Sequence, residues 1–138
     1  MDPKVALIGG LPLFRSLGRR DLEALGANSE EIDAPAGKVL ATQGSHGQEF
    51  FVISSGAASV ERDGVHVADL GPGDYFGELA LIAAIPRTAT VTCTEPTRLI
   101  VLGNREFAAL RMDHPEIELC LLRTVAERLA RLEDDRPH

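Results

Sequence analysis

The stretch from Ile32 to Leu102 alternates short β-rich runs with turn residues, and this pattern restricts the possible folds more than any other feature. The strand-like runs are Val39–Leu40, Phe50–Ile53, Ala57–Arg62, Val65–Leu70, Ala89–Cys93 and Arg98–Leu102. Asp63-Gly64, between the third and fourth runs, predicts a two-residue hairpin because glycine tolerates the positive φ that such turns need. Many short strands at near-regular spacing predict an antiparallel sandwich or barrel.

Helical patterns flank this β region on both sides. Upstream, one or two short helices are predicted to end before Gly26 or near Asn28; their apolar positions are Leu13, Phe14, Leu17, Leu22 and Leu25. Downstream, Asn104 is predicted to cap a short helix and Pro115 to open a longer one. The apolar positions of the longer helix are Leu122, Val125, Ala126, Leu129 and Leu132. We expect this stripe to pack on the β region, which leaves a role as a lid or as a homodimer seam open.

Length and composition indicate one folded unit. The chain has 138 residues, of which 44% are hydrophobic and 25% charged, as is ordinary for a single globular domain. We therefore expect one domain over residues 1–138, with a helical segment at 10–30, a β-roll at 31–103 and helices at 104–133. The expected fold class is mainly β with flanking helices, an antiparallel β-roll or jelly-roll barrel.

Charge and composition disfavour several classes of function. The net charge of −7 repels nucleic acid and anionic membranes, and apolar runs such as Leu79–Ile85 are too short to span a bilayer. We expect a cytoplasmic protein, because the N-terminus lacks the layout of a secretion signal and Cys93 and Cys120 fit reduced core thiols. The four histidines show no metal-ligand spacing and no catalytic triad is recognisable, so we expect neither a metal-dependent enzyme on a barrel nor any other enzyme.

The segment from Gly71 to Val91 interrupts the β pattern and carries the candidate binding chemistry. A helical turn is predicted to begin near Gly77–Glu78 and to stop before Pro86, and such a helix start attracts an anion. Arg87 follows Glu78 by nine residues and can fold back to pair with a phosphate, beside which Glu78 would accept hydrogen bonds from sugar hydroxyls. This is the phosphorylated-sugar interpretation. The alternative is an ion pair between Glu78 and Arg87 that fastens the helix to the sheet.

Two runs within this segment resemble a known motif. Phe76-Gly77-Glu78-Leu79-Ala80-Leu81, followed by Pro86-Arg87-Thr88-Ala89-Thr90-Val91, is similar to the phosphate-binding cassette of cyclic-nucleotide-binding domains. These domains occur in regulatory subunits of cAMP-dependent kinases, in cGMP-dependent kinases, in nucleotide-gated channels and in bacterial catabolite activator proteins. Leu11-Pro12-Leu13-Phe14, the turn glycines and the closing helix at 121–132 also resemble this family, so the likeness covers nearly the whole chain.

The resemblance implies a set of ligand-binding residues: Phe76, Gly77, Glu78, Leu79, Ala80, Arg87, Thr88 and Ala89. It implies that Glu78 binds the ribose 2′-hydroxyl, that Arg87 pairs with the cyclic phosphate, and that backbone N–H groups of Gly77, Ala80 and Thr88 complete the phosphate cradle. Val60 and Val67 are expected beside the base. Candidates for a lid over the base are Arg128, Leu129 and Leu132.

The resemblance also implies a regulatory function. We expect a cAMP or cGMP sensor, without other cofactor, whose bound ligand repositions the C-terminal helix for an effector protein or domain. Thr88 leaves the nucleotide open, because a threonine after the phosphate arginine often accompanies cGMP binding, yet its hydroxyl can equally contact the phosphate. The usual ligand of bacterial relatives favours cAMP. The alternative function is a non-binding domain that acts as a protein-interaction module.

Overall fold

The N-terminal helices are short, and each buries two residues. The computed structural model describes residues 2–83 and 85–134. Helix α1 (Pro3–Gly9) begins after Asp2, whose carboxylate accepts a hydrogen bond of 2.8 Å from the Lys4 N–H. A 3-10 turn (Pro12–Phe14) and helix α2 (Arg19–Ala27) follow. Helix α2 ends beside Asn28, one of the two predicted ends, whereas α1 lies ahead of the helical segment that the sequence predicted.

Eight strands form two four-stranded antiparallel sheets, as the described residues show. Sheet A has the order β1 (Glu30–Ala34), β8 (Thr97–Gly103), β3 (Glu49–Ser55) and β6 (Tyr75–Phe76). Sheet B has the order β2 (Val39–Ala41), β7 (Thr90–Cys93), β4 (Ala58–Arg62) and β5 (Val65–Leu70). The predicted hairpin is confirmed, because β4 pairs with β5 around Asp63 and Gly64, which have φ of 53° and 77°.

Three further helices lie within and after the strands: α3 (Leu79–Ile82), α4 (Asn104–Asp113) and α5 (Pro115–Asp134). Side chains of α5 are described up to residue 127 and at residue 130. Helix α5 begins at Pro115, as predicted. The predicted cap of α4 is wrong: Gly103 occupies the cap position and Asn104 is the first helical residue. The Asn104 N–H donates to the Gln48 carbonyl at 2.8 Å, which ties the first residue of α4 to the residue before β3.

The buried side chains divide into two clusters on the two faces of sheet A. The cluster between sheet A and the helices, called here the helical cluster, contains Phe14, Leu81, Phe107, Ile117 and Leu121 among others. The cluster between the two sheets, the roll cluster, contains Ala41, Ile53, Val91, Cys93 and Leu99 among others. Successive side chains of a strand point to opposite faces. Strand β3 accordingly sends Phe50 and Val52 into the first cluster and Phe51 and Ile53 into the second.

This architecture confirms the predicted fold class, an antiparallel β-roll with N-terminal helices, a short helix inside the roll and C-terminal helices. Helix α3 lies between β6 and β7, so the predicted binding segment joins the two sheets at one end of the roll. No helix in the described part of the chain combines the length and apolar character that a membrane span requires.

Candidate functional site

The predicted ligand-binding residues come together around one cavity. This cavity has a volume of about 200 Å³ and lies between sheet B and the segment that contains α3. All eight residues predicted to bind ligand line it: Phe76, Gly77, Glu78, Leu79, Ala80, Arg87, Thr88 and Ala89. Val60, Leu70 and Val91 form its apolar wall. A cation, a carboxylate and apolar surface in one cavity are the combination expected of a site for a small polar ligand.

Glu78 lies at the turn from β6 into α3. Gly77, with φ of 85°, makes this turn possible, because other residues rarely adopt that conformation. Glu78 then has helical backbone angles and directly precedes the first residue of α3. Its side chain is 6% exposed and lines the cavity. The fold thus holds a carboxylate in the cavity wall at a fixed point of the backbone.

Arg87 reaches the same cavity from the other end of the segment. Its guanidinium Nη2 donates to the Glu49 carbonyl oxygen at 2.9 Å, and its Cζ atom lies 5.9 Å from the centre of the Phe51 ring. Burial lowers the pKa of Arg87, and the carboxylates of Glu49 and then Glu78 act in the opposite direction. A guanidinium remains cationic through such a shift. The site therefore presents a fixed, partly desolvated positive charge to the cavity.

One of the three backbone N–H groups predicted to bind phosphate, that of Ala80, has a partner within the protein. The Ala80 N–H, predicted to bind phosphate, donates to the Gly77 carbonyl at 3.1 Å. The Leu81 N–H likewise donates to the Glu78 carbonyl at 3.1 Å. Both donors are thus engaged inside the tight turn that begins α3, because a turn of this kind closes with hydrogen bonds between residues three apart.

The structure separates the two residues expected beside the base. Val60 lines the cavity, whereas Val67 is 49% exposed and lies outside the lining. The pairing of β4 with β5 is irregular at this point: Val60 pairs with Ala68 and the next pair is Glu61 with His66, so Val67 is the extra residue of a β-bulge. The side chains of the lid candidates Arg128, Leu129 and Leu132 lie outside the described residues.

Arg62 is a cavity residue that the sequence did not predict. It lines the cavity, and its Nε donates to the Thr88 carbonyl at 3.1 Å. Thr88 itself is exposed at the cavity edge. An arginine on β4 gives no local signal of this contact, since the two residues are 26 positions apart. The bond fastens the end of the binding segment to the β4–β5 hairpin.

A larger cavity elsewhere carries different chemistry. It has a volume of about 630 Å³ and lies between the connection after α2, the start of β3 and the start of α4. Its walls include Glu30, Glu49 and Glu106 with one arginine, Arg105. This surplus of carboxylates disfavours an anion. The described residues also include no group of three or more His, Cys, Asp or Glu side chains placed to hold a metal ion.

Comparison with known proteins finds the same domain in several kinds of regulatory protein. A cyclic nucleotide-gated potassium channel of Mesorhizobium japonicum is 34% identical over 122 residues, which cover 88% of this chain and 34% of the channel. A cAMP-dependent protein kinase regulatory subunit of Yarrowia lipolytica is 37% identical over 101 residues, or 73% of this chain and 27% of the subunit. The chain thus spans about a third of the length of these relatives.

Solved structures agree with the sequence relatives. The catabolite activator protein of Thermus thermophilus superposes with a TM-score of 0.78 at 32% identity, over 90% of this chain and 62% of that one. The regulatory domain of Toxoplasma gondii PKA, solved with cAMP, superposes with a TM-score of 0.72 at 33% identity, over 79% and 43%. The family described as cyclic nucleotide-binding domain matches residues 31–114, which include the whole cavity segment. The chain belongs to the cyclic nucleotide-binding domain family.

Proposed function

We propose that the chain is a cyclic nucleotide sensor that binds the phosphate at Arg87 and the ribose at Glu78. The observation that carries the proposal is the meeting of these two side chains in one cavity, although they lie at opposite ends of the segment. Arginine pairs with phosphate through charge-assisted hydrogen bonds. A buried carboxylate accepts hydrogen bonds from hydroxyl groups, and a ribose presents one beside its cyclic phosphate. The activity is binding and regulation, without catalysis.

cAMP is the nucleotide that we favour. Among the similar proteins, the kinase regulatory subunits and the CRP-like regulator of Mycobacterium tuberculosis are named for cAMP. Thr88, exposed at the cavity edge, gives the site a hydroxyl that can contact either a phosphate or the amino group of guanine. A single neutral hydrogen bond contributes about 1 kcal/mol, so it shifts the preference between the two nucleotides by about tenfold at most.

The proposed output is a movement of α5. Helix α3 packs against both α4 and α5, and Leu81 of α3 shares the helical cluster with Phe107 and Ile117. A ligand that draws α3 toward Arg87 therefore changes the surface on which α5 packs. Such a change follows binding only if the ligand has higher affinity for one arrangement of α5 than for the other. An effector protein or domain would read the position of α5, whose exposed Leu119 and Leu122 also suit a homodimer seam.

Titration calorimetry of cAMP and cGMP tests the proposal. The protein is first unfolded and refolded to remove any bound nucleotide, and the wild type is compared with Arg87→Ala. Loss of a charge-assisted pair worth about 1.5–3 kcal/mol per bond should weaken binding by about a hundredfold or more. Arg15→Ala, which removes an exposed arginine outside the cavity, is the matched control and should bind as the wild type does.

The sensor proposal is supported if the wild type binds either nucleotide and Arg87→Ala loses that binding. The nucleotide that binds more tightly identifies the preferred base. A folded, empty wild-type protein that binds neither nucleotide would refute it. The interaction-module alternative would then stand, and it requires that Arg87→Ala leave binding to a protein partner unchanged.

A further inference from the structure

The loop between β2 and β3, residues 42–48, holds the backbone of Arg87. The Arg87 N–H donates to the Ser45 carbonyl at 2.7 Å, and the Gly44 N–H donates to the Arg87 carbonyl at 2.8 Å. These two bonds join segments more than forty positions apart in sequence. The loop therefore fixes the point from which the arginine side chain starts.

Two glycines leave the space that the guanidinium occupies. A Cβ atom at Gly47 would overlap the Arg87 side chain at Nε, Cζ and Nη2. A Cβ atom at Gly77 would lie 2.6 Å from Nη1 and 2.5 Å from the Glu49 carbonyl oxygen. Real side chains do not approach other heavy atoms so closely. Any larger residue at either position must therefore displace the guanidinium.

Polar and aromatic contacts complete the enclosure. The Glu49 carbonyl oxygen accepts a hydrogen bond from Nη2 at 2.9 Å, and the Phe51 ring lies below the guanidinium. Phe51 is held in turn, since it stacks on Phe76 with ring centres 4.8 Å apart. Gly47, Glu49, Phe51 and Gly77 together are called here the arginine socket.

Gly47 and Gly77 exclude other residues for different physical reasons. Gly77 has φ of 85°, so a substitution there strains the backbone whatever space is available. Gly47 has no such φ, and the three heavy atoms nearest to a Cβ at this position all belong to Arg87. A substitution at Gly47 therefore acts on the arginine side chain, which can move without unfolding the chain.

We propose that Gly47 is a positioning residue of the anion site: by lacking a side chain, it admits the Arg87 guanidinium to the socket and holds it toward the cavity. The proposal rests on the nucleotide-binding function proposed above. A side chain held in place before binding loses less rotamer freedom when the ligand arrives, and this raises affinity. Gly47 would thus contribute to ligand affinity without touching the ligand.

The first test compares Gly47→Ala with Gly71→Ala by calorimetry with cAMP and cGMP. Gly71 is the matched control, because its φ is not positive and a Cβ there meets no atom within 4 Å. Gly47→Ala should lower nucleotide affinity by about tenfold or more, the loss expected when an immobilised, charge-assisted contact is displaced. Gly71→Ala should leave affinity unchanged.

The second test needs no ligand. The free energy of unfolding in urea is measured for Gly47→Ala in the wild-type and in the Arg87→Ala background, as a double-mutant cycle. The alanine should destabilise the wild type, whose guanidinium it displaces, and should cost nothing when the arginine is absent. Equal destabilisation in both backgrounds, or unchanged affinity in Gly47→Ala, overturns the proposal. Wild-type protein that binds neither nucleotide overturns the proposed function, while the cycle still decides whether Gly47 acts on Arg87.

Discussion

Glu78 is a buried, charged residue that lines the cavity. Among the described residues it is the one charged side chain that the fold buries, at 6% exposure. Burying a carboxylate is unfavourable unless hydrogen bonds compensate for the lost water. Gly77, with its positive φ, and Glu78, with helical backbone angles, form the turn that places this side chain in the cavity lining. The carboxylate that lines the cavity is the acceptor to which our proposal assigns the ribose hydroxyl.

A ribose contact at Glu78 predicts discrimination against a ligand that lacks the 2′-hydroxyl. The wild type should bind cAMP about tenfold or more tightly than 2′-deoxy-cAMP, because a hydrogen bond to a charged group contributes about 1.5–3 kcal/mol. Glu78→Gln keeps the size of the side chain and removes its charge, so this ratio should fall several-fold. Calorimetry with both nucleotides measures it. Glu116→Gln, on the exposed first turn of α5, is the control, and a ratio unchanged in Glu78→Gln would contradict the assignment.

At the scale of elements, the junction of α4 and α5 is tied to the N-terminal helices. Nδ1 of His114, between α4 and α5, lies 2.6 Å from Oδ1 of Asp21 in the first turn of α2. The two side chains are 11% and 21% exposed. A carboxylate only accepts hydrogen bonds, so the imidazole donates. This bond links the start of α5 to a helix 93 residues earlier in the chain.

Removing the acceptor should loosen the start of α5. Asp21→Ala should lower the free energy of unfolding by about 1 kcal/mol or more, since a partly buried donor loses its partner. Urea unfolding measures this loss, and hydrogen exchange should rise in the first turns of α5. Asp33→Ala, which removes an exposed carboxylate bound to Arg98 at 3.0 Å, should cost less than about 0.5 kcal/mol. Equal effects of the two substitutions would show that the His114–Asp21 bond has no special role.

Local chemistry explains which elements the sequence predicted and which it did not. The β4–β5 hairpin was predictable because Asp63-Gly64 carries the turn signal within two residues. Helix α1 was missed because its seven residues bury only Val5 and Ile8, too few for a periodic pattern. The cavity residues Glu78 and Arg87 lie in one motif, whereas the contribution of Gly47 depends on a contact with a distant side chain. No local pattern contains such a contact.

At the scale of the molecule, sheet A is a wall shared by both clusters. Strand β3 contributes alternate side chains to each face, and β8 does the same, with Leu99 in the roll cluster and Ile100 in the helical cluster. Loss of packing in either cluster uncovers one face of this sheet. We therefore expect the two clusters to unfold as one cooperative unit, although their remaining members come from different parts of the chain.

Substitutions in either cluster should thus shift the same unfolding transition. Ile53 and Leu121 are both 0% exposed, one in each cluster. Truncating either to alanine should cost about 2–5 kcal/mol. Unfolding in urea is followed by the fluorescence of Tyr75, the single tyrosine of the chain, and by far-ultraviolet circular dichroism. For each protein, wild type or variant, the two probes should give the same transition. A curve that separates into two steps in one variant would show that the clusters unfold independently.

Each of the two clusters contains one of the two cysteines of the chain. Cys93, 1% exposed, lies in the roll cluster, and Cys120, 3% exposed, lies in the helical cluster. A thiol in a closed interior reacts with an alkylating reagent only when its surroundings open. Each cluster therefore contains one thiol whose labelling reports when that cluster opens. Mass spectrometry of the two cysteine peptides after pulse labelling would compare the opening of the two clusters in the wild-type protein, and a single cooperative unit exposes both thiols together.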